Sequence, residues 1–307
     1  MTSDRLRAVL FWVLLGPAYV AAQSVADTGF RYTAARPHYS VGKGSLILYD
    51  GGHNNPLSLK GQYSAFGRVL EADGYRLATH SEPITAKSLA DARVFVTVNA
   101  MYDLEKLDLP TGNVYTDEEI ETLYTWVYQH GGSLFLITDH MPCAGSVSKL
   151  AERFGFNLIN GFAQRKDGLT EIFSRRRGNL TANVVTDVEG AVIDSIRIWG
   201  GTGFFPPPEA VVISSLGEDY EVFLPVQVAE MNHHVAPTIP KISGTGLANG
   251  AILQCGRGRV CVFADGAPFT AQLQGIKSDK RGMNHPDATQ NAQLLLNIVH
   301  WLDTAYR

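Results

Sequence analysis

Cysteine is scarce: 3 in 307 residues, at positions 143, 255 and 261. That excludes a disulfide-dense scaffold, and an odd number leaves at least one thiol unpaired. Charge is sparse too. Charged residues are 18% of the chain and the formal net charge is -4. No strongly basic face of the kind that nucleic acid or an anionic membrane demands is indicated. No Cys-x2-Cys and no His-x3-His spacing occurs, so the common zinc signatures are missing. Past the N-terminal segment no apolar run approaches the ~20 residues of a membrane span. There is no internal repeat and no low-complexity tract.

What is there is ordinary globular composition, 45% hydrophobic, enough for one large domain or two modest ones. The N-terminus stands apart. Arg5 and Arg7 precede an apolar stretch from Ala8 to Leu15, Gly16-Pro17 breaks it, and Val20-Ala21-Ala22 offers a small-residue cleavage site. Residues 1–22 read as a secretory signal, which predicts an exported protein, periplasmic or extracellular. The competing reading, a membrane anchor, needs a longer run. Residues 23–44 lack periodicity and read as a linker or edge segment.

From residue 45 to 307 the pattern predicts a single α/β domain with a mostly parallel, three-layer sheet. Strands run Ser45–Asp50, Tyr75–Thr79, Arg93–Asn99 and Ser133–Asp139. Between them lie an amphipathic helix over Leu59–Ala72, a short helix near Ser88, and a helix from Thr116 to Tyr128 that opens on a capping box, Thr116-Asp-Glu-Glu119. Gly145–Phe154 reads as another helix and Asp287–Tyr306 as the last. Beyond residue 160 short β-rich pieces predict antiparallel additions to the same sheet. Cys255 and Cys261 flank the turn Gly256-Arg-Gly-Arg259. An odd loop would put them on one face and allow a disulfide; an even loop would put them on opposite faces.

Three of the strands end in aspartate, at Asp50, Asp139 and Asp265, each followed by Gly or His. Ligands of open parallel sheets sit outside the carboxyl ends of the strands. These acids, with His53, Asn54, Asn55, Asn99 and His140, are therefore expected to line one crevice and bind a ligand. Three chemistries compete there. Asp50, His53, Asp139 and His140 could hold a divalent metal, Zn or Mn, and generate a hydroxide, with His233 and His234 as further ligands. Cys143 at a helix start could be a nucleophile, with His285 as base and Asp287 as orienter. Amides and acids could instead bind sugar hydroxyls, with Tyr49, Tyr102 or Trp199 as a stacking face. Against all three stands the bland alternative that the aspartates cap loop amides and the histidines are packed. Trp199-Gly-Gly-Thr-Gly-Phe-Phe-Pro-Pro-Pro208 is either a binding rim or a rigid structural loop.

The element order, together with Cys143-Ala-Gly145 before a helix and His285-Pro-Asp287 before the last one, resembles the class I glutamine amidotransferase-like superfamily. It departs from those enzymes in two ways. Asp139-His-Met-Pro142 separates the strand from the cysteine, and Asp287 stands where the triad has glutamate. Asp50-Gly-Gly-His-Asn-Asn55, Thr138-Asp-His-Met-Pro142 and Asn291-Ala-Gln-Leu-Leu-Leu-Asn-Ile-Val-His-Trp301 are similar to a non-catalytic, exported bacterial branch of that fold. That branch is related to the amidotransferase-like domains of gliding-motility and intraflagellar-transport proteins. The resemblance implies a binding protein for a small molecule or a glycan, lacking glutaminase activity, with no firm cofactor. A metal- or thiol-dependent hydrolase is the alternative.

Overall fold

The computed structural model describes residues 24–304. The expected secretory signal and the far end of the last helix lie outside the described residues. The main sheet has nine strands: β1 (Leu46–Asp50), β2 (Arg76–His80), β3 (Val94–Val98), β4 (Ser133–Ile137), β5 (Asn157–Leu158), β6 (Phe204–Phe205), β7 (Val211–Ser215), β8 (Ala248–Cys255) and β9 (Gly258–Phe263). Their order is β2-β1-β3-β4-β9-β8-β6-β5, with β7 also on β8. The pairs β2–β1, β1–β3, β3–β4 and β4–β9 are parallel; β8 and everything beyond it is antiparallel. The molecule is thus mixed α/β.

Strand side chains alternate between two apolar clusters, as the two-residue period of a strand requires. Val94, Val96, Val98, Phe135, Ile137, Cys261 and Phe263 face α1 (Ser64–Ala72) and the C-terminal helix (Asn291–Asp303). Phe95, Leu134, Leu136, Val260 and Val262 face α2 (Asp117–Tyr128) and the helix at Ser148–Arg153. In α1 the buried Phe66, Val69 and Leu70 sit at i, i+3 and i+4, the spacing of one helical face. Thr116 caps α2 as expected: its side chain accepts from the Glu119 amide and Glu119 reaches back to the Thr116 amide.

Other expectations change. The stretch near Ser88 forms turns, not a helix. Gly145–Phe154 is replaced by two short helices, α3 (Cys143–Ser146) and α4 (Ser148–Arg153), broken at Val147. The last helix, α5 (Asn291–Asp303), starts four residues late, after a turn that His285 and Ala288 close. Several β pieces after residue 160 leave the main sheet. Phe162–Arg165 pairs with Tyr220–Phe223 and that with Lys241–Ser243, and Ile172–Ser174 pairs with Ser195–Arg197. The segment 24–44 is tied down: Ser24–Ala26 pairs with Ala271–Gln274, the His38 amide donates to Asp73, and the Tyr39 hydroxyl donates to Asp303 at 2.6 Å. His300 on the last helix also pairs with Asp73, at 2.5 Å.

The cysteines follow the even-loop branch. Gly256 and Arg257 alone separate β8 from β9, Cys255 pairs with Gly258, and Cys261 lies opposite Ile252. Cys255 belongs to the α2 face and Cys261 to the α1 face, so both are free and buried. Among the described residues no helix is long and apolar enough to cross a membrane.

Candidate functional site

The carboxyl ends of the parallel strands do gather the polar residues, but in two groups rather than one. β3 lies between β1 and β4 and separates them.

The first group stands at the end of β1. Asp50 is fully buried and its carboxylate is saturated: it accepts from Gly52 N at 3.1 Å, faces His53 Nδ1 at 2.8 Å and accepts from the Tyr115 hydroxyl. The other ring nitrogen of His53, Nε2, lies 3.1 Å from Glu119 Oε1. Glu119 also accepts from the backbone of Ile84 and Thr116. An imidazole thus sits between two carboxylates. Burial alone would lower its pKa, but the hydrogen bonds and charges of Asp50 and Glu119 outweigh that and raise it. Burial would raise Glu119; the Thr116 and Ile84 amides, the Thr116 hydroxyl and His53 together hold it below the ordinary value. Tyr115 is raised well above its ordinary value by burial and by Asp50, so it stays a neutral donor. The neighbouring amides serve the loop. Asn55 braces it through Asp50 O and Leu57 N, and Asn54, at φ 45°, donates to Tyr102 O at 3.0 Å.

The second group joins the ends of β3, β4 and β9. Asn99 is 8% exposed, adopts φ 47°, and its amide oxygen has no hydrogen-bond partner among the described residues. It lines a cleft of about 190 Å³ with Asp139, Gly266, Gln272 and Arg281. Asp139 accepts from its neighbour's amide at 2.8 Å, and Gly266 N approaches its other oxygen at 3.4 Å. Behind them Asp265 is fully buried and accepts from Trp199 N at 2.5 Å and Ala267 N at 2.9 Å. Burial and then the charge of Asp139 push its carboxyl up. Glu171, a residue the sequence did not single out, is pushed up to about 7 by burial and by Asp265. The Gly200–Gly203 loop closes this side. Gly201 has φ 69°, and a Cβ there would lie 2.0 Å from Ala264 O. That contact is impossible for any other residue, so the loop acts as a rigid buttress.

The remaining candidates lie apart. His140 is half-exposed and stacks on Phe162 at 4.6 Å, which stacks on His234 at 4.0 Å. His140 and His53 do not meet, and both nitrogens of His53 already face carboxylates. Among the described residues no three His, Cys, Asp or Glu side chains come together to hold a metal ion. His233 lies at the end of a 3-10 turn, Val228–His233. Cys143 begins α3, yet burial and then Asp139 push its thiol far up, away from thiolate. Its sulfur makes no hydrogen bond to His285. His285 packs edge-on against Trp199 at 5.8 Å and receives the Asp287 amide, while Asp287 pairs with Arg197 at 2.9 Å. Burial and then Arg197 lower the His285 pKa. Tyr49 is buried, with its hydroxyl on Leu57 O; Tyr102 is 54% exposed.

No family model and no curated protein matches the chain. Solved structures do. The mmIFT52 N-terminal domain has a TM-score of 0.60 at 12% identity, covering 84% of this chain and 97% of that one. A GMP synthase-like protein from Thermoplasma acidophilum gives 0.45 at 11%, covering 84% and 94%. A ThuA-like protein from Bacteroides uniformis gives 0.48 at 11%, covering 88% and 94%. At such identities the likeness is one of fold alone: the chain shares the α/β fold of the mmIFT52 N-terminal domain.

Proposed function

We propose that the protein is an exported binding protein for a small polyhydroxylated molecule or a glycan, built on a three-layer amidotransferase-like domain without glutaminase chemistry. The observation that carries the reading is Asn99. A buried amide oxygen without a partner is unfavourable by about 1–3 kcal/mol, and a backbone at φ 47° adds local strain. Both fall at the mouth of one cleft, beside the Asp139 carboxylate and the Gln272 and Arg281 side chains. An acceptor-rich pocket with an amide and a guanidinium suits hydroxyl groups, which donate and accept at once. Its 190 Å³ is below the ~300–1,000 Å³ of drug-sized pockets and favours one small ring. Against glutaminase chemistry stand the raised Cys143 thiol and the engagement of His285 with Trp199 and Asp287.

The test is retention on immobilised polysaccharides and on monosaccharide resins, with ammonia release from glutamine measured in parallel. Asn99→Gly suits it, because glycine accepts a positive φ and only the amide is lost. Asn99→Gly and Asp139→Ala are expected to abolish retention while Asn99→Gly keeps the thermal midpoint, and no ammonia should appear. Unchanged retention in both variants would remove this cleft as the site.

A further inference from the structure

A second and larger cleft, about 670 Å³, opens three residues away along both the β1 and β3 loops. Leu57 and Asn99 line the first cleft; Asn54 and Tyr102 line the second. Three residues of chain span at most ~10 Å, so one short ligand chain can reach both. Resting on the reading above, we infer that this second cleft is a further subsite for a neutral oligosaccharide, with Tyr102 as its stacking platform.

Tyr102 is the exposed aromatic of the cleft, and it is held in place. Its amide donates to Ser146 Oγ at 3.1 Å and its carbonyl accepts from Asn54. Its ring packs closely against Gly112, where a Cβ would come within 2.7 Å of ring atoms. Such support fixes an aromatic face before anything binds, so little entropy is lost on stacking. Asn54, Asn113 and Thr116 supply hydroxyl-matching groups around it.

The electrostatics select a neutral partner. The cleft lies at the start of α2, an end that ordinarily attracts anions. Here the first turn carries Asp117, Glu118 and Glu119. The floor holds His53 between Asp50 and Glu119, and Lys149 at the rim is 3.6 Å from Asp117. Asp50, Glu119 and Asp117 thus already pair with His53 and Lys149, and Glu118 adds a further carboxylate to the same turn. A phosphate or uronate would meet a net negative wall, whereas a neutral sugar loses nothing by it.

The experiment is titration with mono- to hexasaccharides, neutral and uronate-bearing, against wild type, Tyr102→Ala and Asn99→Gly. Wild type should bind neutral chains of two or more units more tightly than the single sugar. Tyr102→Ala should weaken the chains about tenfold, the order of one lost aromatic contact, and leave the single sugar unchanged. Asn99→Gly should remove both. Asn99-dependent binding without length dependence, chains indifferent to Tyr102→Ala, or uronate chains binding as tightly as neutral ones would each overturn the subsite. Absence of any sugar binding by wild type would remove the underlying reading with it.

Discussion

Removing the His53 imidazole leaves Asp50 and Glu119 facing each other across its place, with no cation between them. Breaking a fully buried ion pair costs about 3–5 kcal/mol; here the ring edge reaches the cleft, so about 2–3 kcal/mol is expected for His53→Gln. The pH dependence has a definite sign. The folded pKa of His53 is raised above 6.5, so its contribution is complete below 6.5 and is lost as pH rises through the folded value. Glu119 is depressed below 4.5, so its contribution is complete above 4.5 and is lost as pH falls. The network is therefore worth most between about pH 4.5 and 6.5. Urea midpoints of wild type and His53→Gln should differ most near pH 6 and converge toward pH 9. A gap that stayed constant or widened with pH would show that His53 is neutral in the fold.

The element that carries Glu119 is a helix with an unusually loaded first turn. Thr116 caps α2 and also donates to Glu119 Oε2 at 2.8 Å, so the cap and the His53 network share one carboxylate. Loss of an N-cap alone costs about 1 kcal/mol. Thr116→Ala should cost more, about 1–2 kcal/mol, because Glu119 loses its orientation, and the variant's stability should fall less steeply above pH 6.5 than wild type's, because a weaker Glu119 contact raises the His53 pKa less. An effect independent of pH would confine Thr116 to capping. This helix also shows where the sequence was readable. The capping box and the apolar strands are local patterns, and they appear as expected. The Glu119–His53 contact is not local: 66 residues separate the partners, and nothing in the spacing announces that the α2 start abuts the end of β1. The single crevice failed for a related reason, since strand order is a tertiary property and β3 falls between Asp50 and Asp139. The cysteines were decidable in principle, as the hairpin's parity alone separates their faces. Glu171 gave no sequence signal, because a lone glutamate acquires a raised pKa only from the burial and neighbours that folding supplies.

At the scale of the whole molecule the open issue is whether the parallel half and the antiparallel extension unfold together. β4 and β9 pair across the join, and each sends side chains to both apolar clusters. α5 is the last described element, yet it packs on α1 as well as on β4 and β9. The last described helix and both sheet halves are thus tied through one set of central strands, which argues for a single cooperative unit over residues 45–304. Tryptophan offers a probe on each side: Trp126 is buried among the α2-face residues and Trp301 packs against the α1–α5 face. Variants retaining only one of these two should report the same denaturant midpoint. A sharper form uses Phe135, fully buried on the α1–α5 face of β4. Phe135→Ala leaves a cavity on that face and should cost about 3–5 kcal/mol. If the unit is cooperative, Trp126 on the opposite face must report the same loss as Trp301. A midpoint that shifts for Trp301 and stays fixed for Trp126 would divide the molecule into two layers that melt separately.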